Sequence, residues 1–253
     1  MKTINVGRNK LEIYDSIEEL PIRRFHKFNK YLLVDAGIGS DINDINDHIF
    51  KLSHYIDVGD VLNAKKLLSN FRQSLFLITE ENNIKHLSFM VLIKSINGKE
   101  VHDLSDENLK KMLSFFALEP KSFLDKLFEM VKKKLNDELK LYFPNNFDDA
   151  SIKEYYQKLK SRVLLQLQSI TQQKSNAEAI EKIDAFLINL AKPLTFSGKD
   201  SAEIKFEKQF EEMCLHLKKE AAVEPSEMTV LQFYNAFEFI KKQSKKNGNG
   251  KPN

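Results

Sequence analysis

The sequence predicts a mainly α protein, a multi-helix bundle that carries a small β-hairpin at its N-terminus. Apolar residues recur at the helical period through most of the 253 residues, whereas strict alternation is confined to the first fourteen. Hydrophobic residues make up 42% of the chain, which is enough apolar surface to form a packed core without disulfides or metals.

The N-terminal hairpin is predicted from Thr3–Val6, a turn at Gly7–Lys10, and Leu11–Tyr14. An isolated hairpin is marginal in water, so this one is expected to lie on helices or to pair with another chain. The apolar run Leu87–Ile93 indicates burial, but periodicity leaves helix and strand open. Asn97-Gly98 predicts a tight turn and a short second hairpin.

Helices are predicted from near residue 22 onward, with long ones at 60–80, 121–142, 150–173, 176–191 and 203–221. The helices 121–142 and 150–173 are expected to pack as an αα-hairpin. Thr229 and Gln232 have capping-box spacing at the start of the last helix. The apolar stripe of helix 150–173 consists of Tyr156, Leu159, Val163, Leu167 and Ile170.

Two domains and a tail are predicted. The first, 1–118, holds the hairpin and a helical domain, and the second, 119–243, is a C-terminal helical domain beginning at Glu119-Pro120. The last ten residues, 244–253, have no apolar residue except Pro252 and are expected to form a disordered basic tail.

Charge and composition restrict the function. With 39 basic and 36 acidic residues the net charge is +3, so no strong overall field attracts a polyanion. Five arginines stand against 34 lysines, which disfavours sequence-specific reading of DNA because few side chains offer bidentate contacts. A lone Cys214 and the lack of a long apolar segment lead us to expect a cytoplasmic protein with no membrane contact.

No catalytic, cofactor or metal site is expected from the motifs. None of the six histidines forms an i,i+4 pair with another, and Asp41 and Asp44 lack the spacing of a calcium loop. A helix cap explains these two acids better. No nucleophile elbow or phosphate loop occurs, so we expect a protein that is not an enzyme.

A basic helix at 22–32 is the candidate partner-binding surface. Two interpretations stay open: binding of phosphate backbones or of an acidic partner, and a solvated face above a buried phenylalanine stripe. The candidate residues are Arg23, Arg24, Lys27 and Lys30.

Three segments resemble proteins from the morphogenetic gene regions of tailed bacteriophages. They are Leu20–Asp41, with LPIRRF and DAGIGSD, Phe196–Cys214, with FSGKD and FEEMC, and Met228–Tyr234, with MTVLQFY. The resemblance implies a non-enzymatic component of the virion or its assembly, in tail assembly or head-tail connection. It implies other virion or assembly proteins as partners, a possible homo-oligomer, and a place in the host cytoplasm or the virion.

The alternative function is that of a nucleic-acid-associated accessory protein. Such a protein would bind through the basic helix 22–32 and the lysine-rich tail. Balanced charge and scarce arginines favour the protein-interaction function, with nucleic-acid contact nonspecific at most.

Overall fold

The computed structural model describes residues 1–144, 150–172, 175–190, 192–221 and 224–248. Helix accounts for 71% of the structure, about twice the share in ordinary globular proteins. Ten α-helices and four short strands occur in the described residues. The predicted fold class, mainly α with an N-terminal hairpin, is confirmed.

The two predicted hairpins form one antiparallel sheet. Its strands β1 (Lys2–Val6), β2 (Asn9–Ile13), β3 (Ile93–Ile96) and β4 (Lys99–Glu100) lie in that order. Leu11 of β2 is paired with Ile96 of β3, which joins the hairpins across more than 80 residues of chain. The N-terminal hairpin therefore gains the further strands that it needs for stability.

The apolar run Leu87–Ile93 is both helix and strand. Helix α4 (Ile84–Val91) ends within it and β3 begins at Ile93, so the change of structure falls at Leu92. Every residue of the run is buried. Burial on all sides removes the amphipathic pattern, which is why periodicity left this segment open.

Helix α1 (Ile22–Ile38) lies at the centre of the fold and packs against α4 as well as against helices from the far end of the chain. The other helices are α2 (Ile42–Asp57), α3 (Val61–Thr79), α5 (Asp106–Leu113), α6 (Lys121–Tyr142), α7 (Ala150–Gln172), α8 (Ala177–Leu190), α9 (Ala202–Ala221) and α10 (Val230–Gly248).

The main hydrophobic core draws residues from both sides of the predicted domain boundary. It runs from Val6 of the sheet through Phe28 and Phe128 to Phe233 and Ile240 of the last helix. A smaller cluster joins Tyr55 and Leu67 to Ile188 of α8. That residues 1–118 and 119–243 are separate domains stays a prediction.

Two expectations about packing and order differ from the structure. Helix α7 packs chiefly against α8, not as a hairpin with α6, whose connection at 145–149 lies outside the described residues. Helix α10 continues to Gly248, five residues into the segment expected to be disordered. Residues 249–253 lie outside the described part, so the predicted disorder stays a prediction for them.

No helix in the described residues combines the length and the apolar character that crossing a lipid bilayer requires.

The start of α10 has the predicted capping box and also contacts the start of α1. The Gln232 N–H donates to Thr229 Oγ1 at 3.4 Å, and the Thr229 N–H donates to Gln232 Oε1 at 3.0 Å. Beside it, the Ile22 N–H donates to the Met228 carbonyl and the Val230 N–H to the Leu20 carbonyl, each at 2.9 Å.

We predict that Thr229→Ala lowers the free energy of unfolding by about 0.5–2 kcal/mol, because the first turn of α10 loses its side-chain acceptor. Urea denaturation followed by circular dichroism measures this. Thr229→Ser keeps the hydroxyl and serves as the control. Equal stability of the alanine variant and the wild type would show that this cap contributes nothing.

Candidate interaction surfaces

Arg24 is the most enclosed cation of the predicted basic helix. Its Nη1 donates to the carbonyls of Val91 and Ile93 at 2.8 and 2.9 Å, and its Nη2 donates to the Val101 carbonyl. The guanidinium thus satisfies backbone acceptors at the end of α4 and in the adjoining sheet region. Burial lowers the pKa of Arg24, but from so high a value that it remains charged.

Lys27 and Lys30 are also held within the chain. Lys27 Nζ donates to the Leu104 carbonyl at 2.5 Å and lies 3.6 Å from Asp106 Oδ1. Lys30 Nζ lies 3.0 Å from Glu207 Oε1 of α9 and 3.6 Å from Glu203. Burial by itself lowers the pKa of Lys30, but these carboxylates more than offset it and raise the pKa above its ordinary value.

His26 adds a further contact between α1 and α9. Its ring stacks with Phe206 and Phe210, with ring centres 4.5 and 3.9 Å apart, and its Nε2 lies 2.8 Å from Glu207 Oε2. Because an ionised carboxylate only accepts, Nε2 carries the proton. Burial raises the pKa of Glu207, but the hydrogen bonds from His26 and Lys30 lower it below its ordinary value.

A polar cleft of about 270 Å³ opens between α1 and α9 beside these residues. Arg23, which is exposed, lines this cleft together with Glu207 and Glu211. The described residues of its wall include no serine, threonine or cysteine. Tyr31 supplies a hydroxyl to the wall, and this hydroxyl donates to Asp106 Oδ1 at 2.6 Å.

The remaining chemistry-bearing residues have structural surroundings. Burial raises the pKa of the Cys214 thiol, which disfavours the reactive thiolate. Asp41 and Asp44 form a capping box at the start of α2, which confirms the helix-cap interpretation. In the described part of the chain, no group of three or more His, Cys, Asp or Glu side chains is arranged to hold a metal.

The lysine-rich tail is described only in part. Lys241 lies in α10, 3.9 Å from Glu238. Lys242 is exposed, and the side chains of the remaining lysines of this segment, at 245, 246 and 251, lie outside the described residues.

Of the four predicted partner-binding residues, Arg24, Lys27 and Lys30 contact carbonyls or carboxylates of the same chain, and Arg23 is exposed. Residue type and spacing indicated a cationic helix correctly. Residue type and spacing could not predict that carbonyls and carboxylates of residues 91–106 and 203–207 contact this helix.

An apolar surface that sequence reasoning assigned to packing lies open on α7. Arg162 of α7 contacts α8, because the Arg162 Nε donates to Asp184 Oδ1 at 2.5 Å. Of the predicted apolar stripe, Ile170 is 75% exposed and Leu167 52% exposed. The segment from Val163 to Gln172 has no charged residue. The exposed stripe on α7 consists of Tyr156, Val163, Leu164, Leu167 and Ile170.

Comparison of the chain with protein families, with curated proteins and with solved structures finds no match.

We predict that Arg24→Met lowers the free energy of unfolding by about 1–3 kcal/mol, because partly buried carbonyls lose their donor. Denaturant titration measures the change. The neighbouring Arg23→Met is the matched control and should shift stability by no more than about 0.5 kcal/mol, since Arg23 is exposed. Similar effects of the two substitutions would contradict the structural role of Arg24.

Proposed function

We propose that this chain is a non-enzymatic protein-interaction component, which binds other proteins through apolar helix faces that its own fold leaves uncovered. The observation that carries the proposal is the exposed stripe on α7. A large apolar patch on a folded protein is typical of an interaction site, whereas singly scattered apolar residues are not. The uncharged segment within this helix suits an apolar partner surface.

The resemblance to tailed-phage morphogenesis proteins gives the proposal its biological setting. In that setting the partners are other virion or assembly proteins, in tail assembly or head-tail connection, and the protein acts in the host cytoplasm or within the virion. Assembly proteins need surfaces that are open in the free chain and buried in the particle. The α7 stripe is open in the chain, which supports such a role.

The alternative, a nucleic-acid-associated accessory protein, is supported less well. Phosphate binding requires cations that are free to contact a backbone. Arg24 is occupied by carbonyls, and Lys27 and Lys30 lie beside acidic side chains. The polar cleft is lined by Glu203, Glu207 and Glu211 as well as by cations, so its field does not favour an anion.

We predict that the exposed stripe serves binding and not folding. Replacing Leu164 and Leu167 together by glutamine should change the free energy of unfolding by no more than about 0.5 kcal/mol for each residue, because both side chains are half exposed. Urea denaturation at low protein concentration measures this, since association then contributes least.

The matched control is Leu135→Ala in α6, where a fully buried leucine should cost about 2–5 kcal/mol. A comparable loss for the two α7 substitutions would assign the stripe to the fold and remove the observation that carries the proposal.

We also predict weak nucleic-acid binding. With labelled duplex and single strands at about 150 mM salt, fluorescence anisotropy should give a Kd no tighter than about 10⁻⁶ M. Arg23→Glu should change it no more than Arg8→Glu, an exposed arginine in the turn of the N-terminal hairpin. Nanomolar binding that Arg23→Glu weakens selectively would overturn the proposal in favour of the nucleic-acid function.

A further inference from the structure

A second cavity, apart from the polar cleft, opens between α1, α6, α9 and α10. Its volume is about 490 Å³, and ten of the fourteen described residues of its wall are apolar or aromatic. Phe25, Phe210 and Phe233 of the wall are buried, whereas Met213 is 40% exposed and marks the opening to solvent. The cavity is therefore an apolar recess of the fold that can be entered from outside.

The contact between α1 and α9 separates this apolar cavity from the polar cleft. Arg23, Lys27 and Lys30 of α1 line the polar cleft, and the neighbouring sector of the same helix lines the apolar cavity. On α9, Glu203 and Glu207 likewise line the polar cleft only. No Asp, Glu, Lys or Arg occurs among the described residues of the cavity wall. An ion in the cavity would lose hydration without gaining a charged partner, so the wall favours an uncharged occupant.

Three amide side chains of the wall can make hydrogen bonds to an occupant. Asn29 is half-buried, and its Nδ2 donates to the Phe25 carbonyl at 3.0 Å, which leaves its Oδ1 to accept. Asn136 of α6 and Gln209 of α9 are exposed. Within the described part of the chain, neither of these two side chains hydrogen-bonds to another residue. A few polar groups in an otherwise apolar wall are the usual means of orienting a small molecule.

The remaining wall indicates what kind of uncharged molecule fits. Five of its residues are aromatic: Phe25, Phe206, Phe210, Phe233 and Tyr234. Aromatic rings gain from offset-stacked or edge-to-face contact with other rings. Burial raises the pKa of Tyr234, so its hydroxyl stays protonated at neutral pH. The volume of about 490 Å³ lies within the range of roughly 300–1,000 Å³ that small-molecule sites have.

We propose that this apolar cavity binds an uncharged aromatic small molecule that has a hydrogen-bond donor. The rings of the molecule contact the phenylalanines of α1, α9 and α10, and its donor reaches Asn29 Oδ1. No described residue of α7 lines the cavity, so this inference goes beyond the proposed function and does not depend on it. Sequence motifs could not indicate the site, because its wall comes from residues 22–33, 136–139, 206–213 and 233–234.

The probe that tests the site is N-phenylnaphthylamine, an uncharged molecule with two aromatic ring systems and one N–H donor. Its fluorescence increases and shifts to shorter wavelength in apolar surroundings. Titration of the purified full chain should show saturable binding of one probe per chain, with a Kd of about 10⁻⁵ M or tighter. Absence of saturable binding would overturn the inference.

Anilinonaphthalene sulfonate is the matched control probe, since it is the same molecule with one added sulfonate. It should displace the uncharged probe only at concentrations at least roughly tenfold higher, because its charge finds no cation in the cavity wall. Displacement at equal or lower concentration would contradict the uncharged ligand class.

Two substitutions locate the bound probe. Leu33→Trp should raise the Kd at least roughly tenfold, because the larger side chain occupies part of the cavity, and circular dichroism checks that the variant folds. Leu164→Trp on α7 is the control and should leave the Kd unchanged. Binding that is lost in Leu164→Trp but kept in Leu33→Trp would place the probe on the exposed stripe, which overturns this inference and leaves the proposed function standing.

A further measurement does not rely on loss of binding. The chain has no tryptophan, so Met213→Trp places a single one at the opening of the cavity, on an exposed position that the fold tolerates. Energy transfer to the bound probe should quench this tryptophan more strongly than the one in Leu164→Trp. Equal or stronger quenching at residue 164 would overturn the assignment of the probe to the cavity.

Discussion

The contact between the Arg24 guanidinium and three backbone carbonyls holds the centre of this molecule together. It joins α1 to the end of α4, to the start of β3 and to the chain after β4. The guanidinium also lies 5.5 Å from the centre of the Tyr14 ring, which follows β2. The guanidinium has five donors spread over a rigid planar fork and can serve separated acceptors at once, whereas the three donors of a lysine share one nitrogen. The sheet, α4 and α1 consequently share one fixed arrangement, and α9 and α10 also contact α1.

The same contacts change the interpretation of the basic helix at 22–32. A run of cations around aromatic residues has the composition of a nucleic-acid surface, yet three of these cations contact carbonyls or carboxylates of the same chain. Lys30 and His26 both contact Glu207, which attaches α9 to α1. Charge on α1 therefore contributes mainly to contacts within the fold.

Much of the local structure followed from the sequence, and much of the long-range structure did not. The helix predicted at 121–142 has those bounds, and the cap at Thr229 was indicated by Gln232 three residues later. Periodicity reports the face of a helix but not its neighbour. It therefore identified the apolar stripe of α7 correctly as a stripe, although α8 covers a different side of that helix. The sequence pattern predicts Arg24 as a binding residue. It cannot show that Arg24 is occupied, because the carbonyls that accept its hydrogen bonds lie more than 65 residues along the chain.

The join between the two hairpins bears on how the chain acquires its fold during synthesis. Strand β2 is complete by residue 13, but its partner β3 begins only at Ile93, and the contacts of Ile22 and Leu20 await residues 228–230. Contacts of such sequence separation form slowly, and a nascent chain emerges from its N-terminus. The first hairpin thus lacks its sheet partner until residues 93–96 have been made, and the start of α1 lacks its backbone contacts with α10 until residues 228–230 have been made.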